Sequence, residues 1–233
     1  IYLGDTGRYP YGNKSAETVT RYAIENAEFL LARRVKMLVV ACNTMSAVAL
    51  DALRGRVDVP VIGVIGPGAR AAVERTRNRR VGVIGTETTI ASGLYTRALR
   101  ELAPDLEIFT RACPLFVPLA EEGWTDNEIA RATVAAYLES IKASGIDTMI
   151  LGCTHYPLLK KSIARFLGRG VRLVDSAEET AREVSGKLGE MGLRRKSGKG
   201  STSFFVTDVP DRFVKVGRSF LGERVESAVR IER

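Results

Sequence analysis

The sequence predicts an α/β protein made of two similar three-layer α/β domains with parallel sheets and an interdomain cleft. Three observations carry that expectation. Short runs of branched apolar residues alternate with longer amphipathic stretches, the order that places helices on both faces of parallel sheets. The runs Met37-Leu38-Val39-Val40 and Met149-Ile150-Leu151 stop at once in small and polar residues, Ala41-Cys42-Asn43-Thr44 and Gly152-Cys153-Thr154-His155. Each cysteine therefore closes a buried strand, at the end where open α/β sheets place their ligands. Finally, the two cysteine units recur about half a chain apart, a near-repeat that implies two similar domains, expected over 1–66 plus 176–233 and over 67–175.

The elements follow in order. Ile1-Tyr2-Leu3 is a strand, and the polar turn Gly4-Asp5-Thr6-Gly7 comes after it. A strand opening a chain with no start methionine predicts that an N-terminal strand and loop are missing. Ser15 is the expected N-cap of a helix over about 15–34, with Val19, Tyr22, Ala23, Ala27, Leu30 and Leu31 on one face. Residues 36–41 lead to Cys42, and a helix is expected over about 46–54. Residues 59–65 form a strand, broken by Gly66-Pro67-Gly68, which reads as a hinge or crossover. A second series opens at Val81-Gly82-Val83-Ile84-Gly85 and its hydroxyl-rich turn Thr86-Glu87-Thr88-Thr89. A helix carries Leu94, Ala98, Leu99 and Leu102; Ile108-Phe109 is a strand; Pro114 and Pro118 predict an irregular stretch. Thr125 with Glu128, and Ser176 with Glu179, read as capping boxes for two helices, the first reaching about Ala143. Between them lie the strand 147–151, a further helix and the strand Val171-Arg172-Leu173-Val174. A Gly/Lys/Arg-rich loop over about 192–201, the strand Phe204-Phe205-Val206 and a helix over about 211–221 complete the chain.

Composition excludes several classes. No apolar run approaches the ~20 residues of a membrane span, and the start lacks the basic-then-apolar order of a secretory signal. Three cysteines do not make a disulfide framework, so a cytoplasmic protein with reduced thiols is expected. The net charge of +8 raises nucleic acid as a partner. The basic residues gather at Arg75-Thr76-Arg77-Asn78-Arg79-Arg80 and Arg194-Arg195-Lys196-Ser197-Gly198-Lys199 without interleaved aromatics, so they read as solvated loops.

A thiol at a strand end that feeds a helix has its pKa lowered by the helix N-terminus, so Cys42 and Cys153 are expected to be reactive. Asn43, Thr44 and Thr154 offer hydrogen-bonding groups beside them. Cys113, before Pro114 and without a polar turn, reads as a small buried hydrophobe. His155 is the only histidine, two residues from a candidate catalytic thiol, and is expected to tune it. No metal is expected, because Cys153 and His155 are too close in sequence for a usual zinc pattern and no CxxC exists. No P-loop is present, and Gly82-x-x-Gly85 lacks the dinucleotide spacing.

The set Pro10-Tyr11-Gly12, Ala41-Cys42-Asn43-Thr44, Gly85-Thr86 with Thr89, and Gly152-Cys153-Thr154-His155-Tyr156-Pro157 resembles bacterial glutamate racemase, in order and spacing, over essentially the whole chain. His155 after the second Cys-Thr favours that family over aspartate racemases. The resemblance implies racemisation without a cofactor by two cysteines on opposite faces of glutamate, supplying D-glutamate for peptidoglycan. Cys42 would act on D-glutamate and Cys153 on L-glutamate. Tyr11, Gly12, Asn43, Thr44, Thr154 and His155 would bind substrate, with Glu121, Thr86 and Thr89 in support. The family opens with a strand and an Asp-Ser-Gly loop ahead of the segment that starts here, and Asp5 belongs to the following strand. Glutamate is the expected partner, a homodimer is left open, and neither nucleic acid nor membrane is expected. Two alternatives stand: a racemase of aspartate or another acidic amino acid, and a non-catalytic basic binding protein on the same fold.

Overall fold

The structure, a computed structural model, describes residues 1–232. In chain order its main elements are β1 (Tyr2–Gly4), α1 (Ala16–Leu31), β2 (Leu38–Val40), α2 (Asn43–Arg54), β3 (Val61–Gly63), α3 (Ile65–Arg75), β4 (Arg80–Gly85), α4 (Glu87–Ala91), α5 (Leu94–Leu102) and β5 (Glu107–Ala112). There follow α6 (Phe116–Glu121), α7 (Glu128–Ala143), β6 (Thr148–Gly152), α8 (Lys160–Leu167), β7 (Arg172–Asp175), α9 (Ser176–Glu190), β8 (Phe204–Val206), α10 (Pro210–Leu221) and β9 (Val229–Arg230). Every strand pair among the described residues is parallel.

The largest sheet runs β5-β4-β6-β7. Its central strands are apolar because both faces are covered. Val81, Val83 and Ile150 pack with Ala69, Ala72 and Leu99 of α3 and α5. Ile84, Met149 and Leu151 pack with Val134, Leu138, Ile141 and Ile163 of α7 and α8. Along β6, Met149, Ile150 and Leu151 alternate faces as a strand must. Each is fully buried, and burying a side chain of that size contributes roughly 1.5–3 kcal/mol. A smaller parallel pair, β2-β3, carries α1 and α2 through Val19, Ala23, Leu38, Met45 and Leu53. The third sheet runs β1-β8-β9.

Register sets up the site. Gly85 stands opposite Gly152, so β4 and β6 end together. A Cβ on Gly152 would lie 2.6 Å from the Ile84 carbonyl oxygen, which is why only glycine fits.

Several local expectations are corrected. Gly66-Pro67-Gly68 is no hinge: it forms the first turn of α3, where proline's missing N–H has no intrahelical acceptor to lose. For the same reason Pro118 is tolerated in the short α6. The residue that caps α7 is Asn127, not Thr125; its side chain accepts from the Ala130 amide at 2.8 Å. Asp175, not Ser176, caps α9, accepting from Ala177 at 3.0 Å. The turn at 86–89 is the start of α4, capped by Thr86. Arg75 ends α3 and Arg80 opens β4, so the first basic cluster is not simply a loop. Arg75, Arg79 and Arg80 pair with Glu179, Asp105 and Glu107. Ser15 does cap α1, accepting from Thr18 at 3.2 Å.

Candidate active site

Cys42 sits where β2 ends, as the N-cap residue of α2, which begins at Asn43 and not near residue 46. Its carbonyl accepts from the Ser46 amide at 2.8 Å, and the residue is half-buried. The thiol is not lowered as a helix N-terminus alone would make it. Burial pushes it up to about 11, and a charge on Cys153 pushes the same way. The amides of Met45 and Thr44 pull it down and do not win. Cys42 therefore holds its proton at neutral pH.

The groups around Cys42 are tied to the larger sheet. The Thr44 hydroxyl lies 3.0 Å from that of Thr86 and 3.2 Å from that of Thr89, and Thr86 and Thr89 are 3.0 Å apart. This buried triangle joins α2 to the end of β4. Asn43 is buried; Tyr95 donates to its Oδ1 at 2.6 Å, and its Nδ2 donates to Ser176 Oγ at 3.4 Å. Gly12 approaches closely from the β1 side. Its carbonyl accepts from Thr88 N at 3.2 Å and Thr88 Oγ1 at 2.9 Å, and a Cβ on Gly12 would meet Thr86 at 2.6 Å. Tyr11 donates to Asp5 Oδ2 at 2.5 Å. Asp5 also accepts from Arg8 Nε at 2.8 Å and Thr207 Oγ1 at 3.0 Å. Burial would raise the Asp5 carboxyl, but the hydrogen bonds from Arg8 and Tyr11 outweigh it and hold it below the ordinary range. Burial and Asp5 together push Tyr11 upward, so its phenol stays a donor.

Cys153 follows β6 and is buried, and a short 3-10 turn, Tyr156–Leu159, comes after it. It does not cap a helix, so the two cysteine units match at their strands and not beyond. His155 Nδ1 lies 4.0 Å from Cys153 Sγ and 3.3 Å from Thr154 Oγ1; Thr154 is exposed. His155 Nε2 lies 2.7 Å from Glu121 Oε1, at the end of α6. Burial would lower His155, but the contacts with Cys153 and Glu121 outweigh it and raise it to about 9. The hydrogen bond from His155 holds Glu121 below its ordinary value. A protonated imidazole thus stands between a thiol and a carboxylate.

β4 and β6 are neighbours, about 5 Å apart as strands pair. Thr86, at the end of β4, touches Thr44 beside Cys42, while Cys153 ends β6. The two thiols are close enough that charge on one perturbs the other. Cys113 is fully buried against Phe116 and Tyr156, with its thiol pushed up to about 12, as its setting predicts. Among the described residues no three His, Cys, Asp or Glu side chains gather as a metal site would need. No helix there is long and apolar enough to cross a membrane.

Sequence reasoning missed Tyr95, Ser176 and Tyr9. Tyr95 lies on the apolar face of α5 and reads like any core aromatic. Ser176 carried a usable signal, since it follows the end of β7 as Cys153 follows β6. Tyr9 had none, because its partner Glu121 is 112 residues away.

The fold and this site define an α/β protein of the amino-acid racemase class. The chain belongs to the Asp/Glu/hydantoin racemase family, whose model matches residues 6–184. Within it, the chain is 58% identical over 227 residues to a glutamate racemase from Geobacter metallireducens, covering 97% of this chain and 84% of that protein. A glutamate racemase isoform from Bacillus anthracis superposes with a TM-score of 0.94 at 40% identity, over 100% of this chain and 86% of that one. A glutamate racemase from Francisella tularensis, solved with D-glutamate, gives 0.90 at 35% identity, over 100% and 86%.

Proposed function

We propose that this chain interconverts L- and D-glutamate without a cofactor, supplying D-glutamate for peptidoglycan, and that Cys42 and Cys153 are the two bases. The observation that carries the reading is a pair of thiols on different sheets, each at a strand end, each flanked by polar groups, and near enough to interact. A carbon acid beside an ionised carboxylate is very weak, so a catalyst must place its base well and stabilise the developing carbanion. Cys153, beside protonated His155, takes the α-proton of L-glutamate. Cys42, which holds its proton, delivers one to the opposite face. The reverse sequence handles D-glutamate. Tyr11, Gly12, Asn43, Thr44, Thr154 and His155 bind and orient the substrate, with Thr86, Thr89 and Glu121 behind them. The division into 1–66 plus 176–233 and 67–175 belongs to the same proposal. The β1-β8-β9 sheet, which joins the start of the chain to its C-terminal part, and a cluster of buried residues from Tyr11 to Val61 support it.

Incubating the enzyme with L-glutamate, without pyridoxal phosphate, is expected to give a circular dichroism signal that decays to zero as D-glutamate forms. An unchanged signal would overturn the assignment. A higher kcat/KM for aspartate than for glutamate would overturn the substrate.

A further inference from the structure

Glu121 has two carboxylate oxygens, and the reaction as described uses one. Oε1 faces His155 at 2.7 Å. Oε2 accepts from the Tyr9 hydroxyl at 3.1 Å and lies 3.5 Å from Arg212 Nη2. Tyr9 belongs to the loop after β1, and Arg212 to α10 beside β8, whereas Glu121 and His155 belong to the elements around β4–β7. The Glu121 side chain is only 10% exposed and ends a six-residue helix, which by itself gives a long side chain little to fix its direction. The groups that meet its second oxygen reach over from the other sheet.

We infer that Tyr9 and Arg212 are positioning residues: they hold the far oxygen of Glu121 from the opposite half of the molecule, so that its near oxygen keeps the His155 ring directed at Cys153. The inference rests on the two-thiol reading above. Neither residue has a described contact with a thiol or with His155, so each acts through Glu121 alone. Among the described residues, the titratable and charged groups that meet Glu121 and His155 are few. Glu121 meets His155, Tyr9 and Arg212. His155 meets Cys153 and Glu121. Tyr156, on the adjoining 3-10 turn, turns its hydroxyl away to the Cys113 carbonyl at 2.8 Å. Burial and the neighbouring carboxylate both raise Tyr9, so it remains a donor.

The consequence is selective for one face. The Tyr9–Glu121–His155 chain leads to Cys153 and not to Cys42. Loosening it should impair proton removal from L-substrates and spare removal from D-substrates. Racemisation rates cannot show this, since the two directions are linked by an equilibrium constant near one. A half-reaction can. With 3-chloroglutamate, one base removes the α-proton, the electron pair expels chloride, and the resulting enamine hydrolyses to 2-oxoglutarate and ammonia. The full chain would be assayed with each enantiomer as Tyr9→Phe, Arg212→Gln, Arg212→Lys and the double variant Tyr9→Phe/Arg212→Gln. The expected result for the double variant is about a tenfold loss of elimination from the L-isomer, the size expected when a hydrogen bond to a charged group is lost, with the D-isomer within twofold. Arg212→Lys should retain the rate. In a Glu121→Ala background, Tyr9→Phe should have no further effect, because the shared partner is gone. Equal loss on both isomers, no loss on either, or an undiminished Tyr9→Phe effect without Glu121 would overturn the inference. Cys153→Ser in the same assay separates the two levels: if it leaves L-elimination intact, the two-thiol reading itself fails, whatever Tyr9 and Arg212 do.

Discussion

Replacing Glu121 by Gln tests the electrostatics of the site most directly. Gln keeps the shape and a hydrogen-bonding oxygen but removes the charge beside His155. The displacement of His155 from 6.5 to about 9 corresponds to about 3 kcal/mol of preference for the protonated, folded form. The ring is only 20% exposed, so solvent screens little of this. The stabilisation comes from Cys153 as well as Glu121, so roughly half, about 1.5 kcal/mol, is assigned to the carboxylate; this matches a hydrogen bond between charged groups. The sign follows from the direction of the displacement. A group raised in the folded state contributes fully below its unfolded value of 6.5 and loses that contribution as pH climbs through about 9. Urea unfolding of both proteins at pH 6, 8 and 10 should therefore show the variant less stable by about 1.5 kcal/mol at the first pH, with the gap closing at the last. Near neutral pH the melting temperature should drop by about 3–6 °C for a chain of this size. Tyr9, whose phenol is raised by burial and by the Glu121 carboxylate, changes the gap in the same direction as pH approaches 10, whereas titrating groups that do not meet Glu121 cancel in the comparison. A gap that stays constant from pH 6 to 10, or widens, would refute the ion-pair account of His155.

Further outcomes follow from other parts of the site. Cys42→Ser and Cys153→Ser should each abolish racemisation, yet Cys42→Ser should still eliminate chloride from L-3-chloroglutamate and Cys153→Ser from the D-isomer; equal loss on both isomers would reject the division of labour. Gly12→Ala puts a methyl 2.6 Å from Thr86 and should cost about 1–3 kcal/mol in unfolding free energy while raising KM, as overpacking at a close approach does; a neutral variant would mean that the loop after β1 shifts freely. Asp5→Asn removes the charged acceptor of Arg8 and Tyr11 and should cost about 2–3 kcal/mol at pH 7. Because the Asp5 carboxyl is held low in the folded state, its contribution is present above the ordinary carboxylate value and fades as pH falls through its folded value. The difference between the two proteins in urea should therefore close in acid, and a difference that persists there would show that Asp5 acts by packing alone.

The alternation of strands and helices was legible in the order of residues, because a strand buried on both faces must be apolar throughout, as Met149-Ile150-Leu151 is. So was the placing of Cys42 and Cys153 at strand ends, since the apolar runs stop there. The resemblance rested on short segments that are local in the chain. What sequence did not determine was every feature that depends on distant partners. The N-terminus of α2 predicts a lowered Cys42 thiol, yet burial by other elements outweighs it and raises the thiol. Asn127 and Asp175, and not the neighbouring Thr125 and Ser176, cap their helices, because several residues of suitable chemistry stand side by side and backbone geometry chooses among them. Gly66-Pro67-Gly68 looks like a break but lies in a first helical turn, where the donors are free anyway. Tyr95 on Asn43, and Tyr9 and Arg212 on Glu121, join residues more than fifty positions apart; only the packing of separate sheets brings such groups within hydrogen-bonding reach.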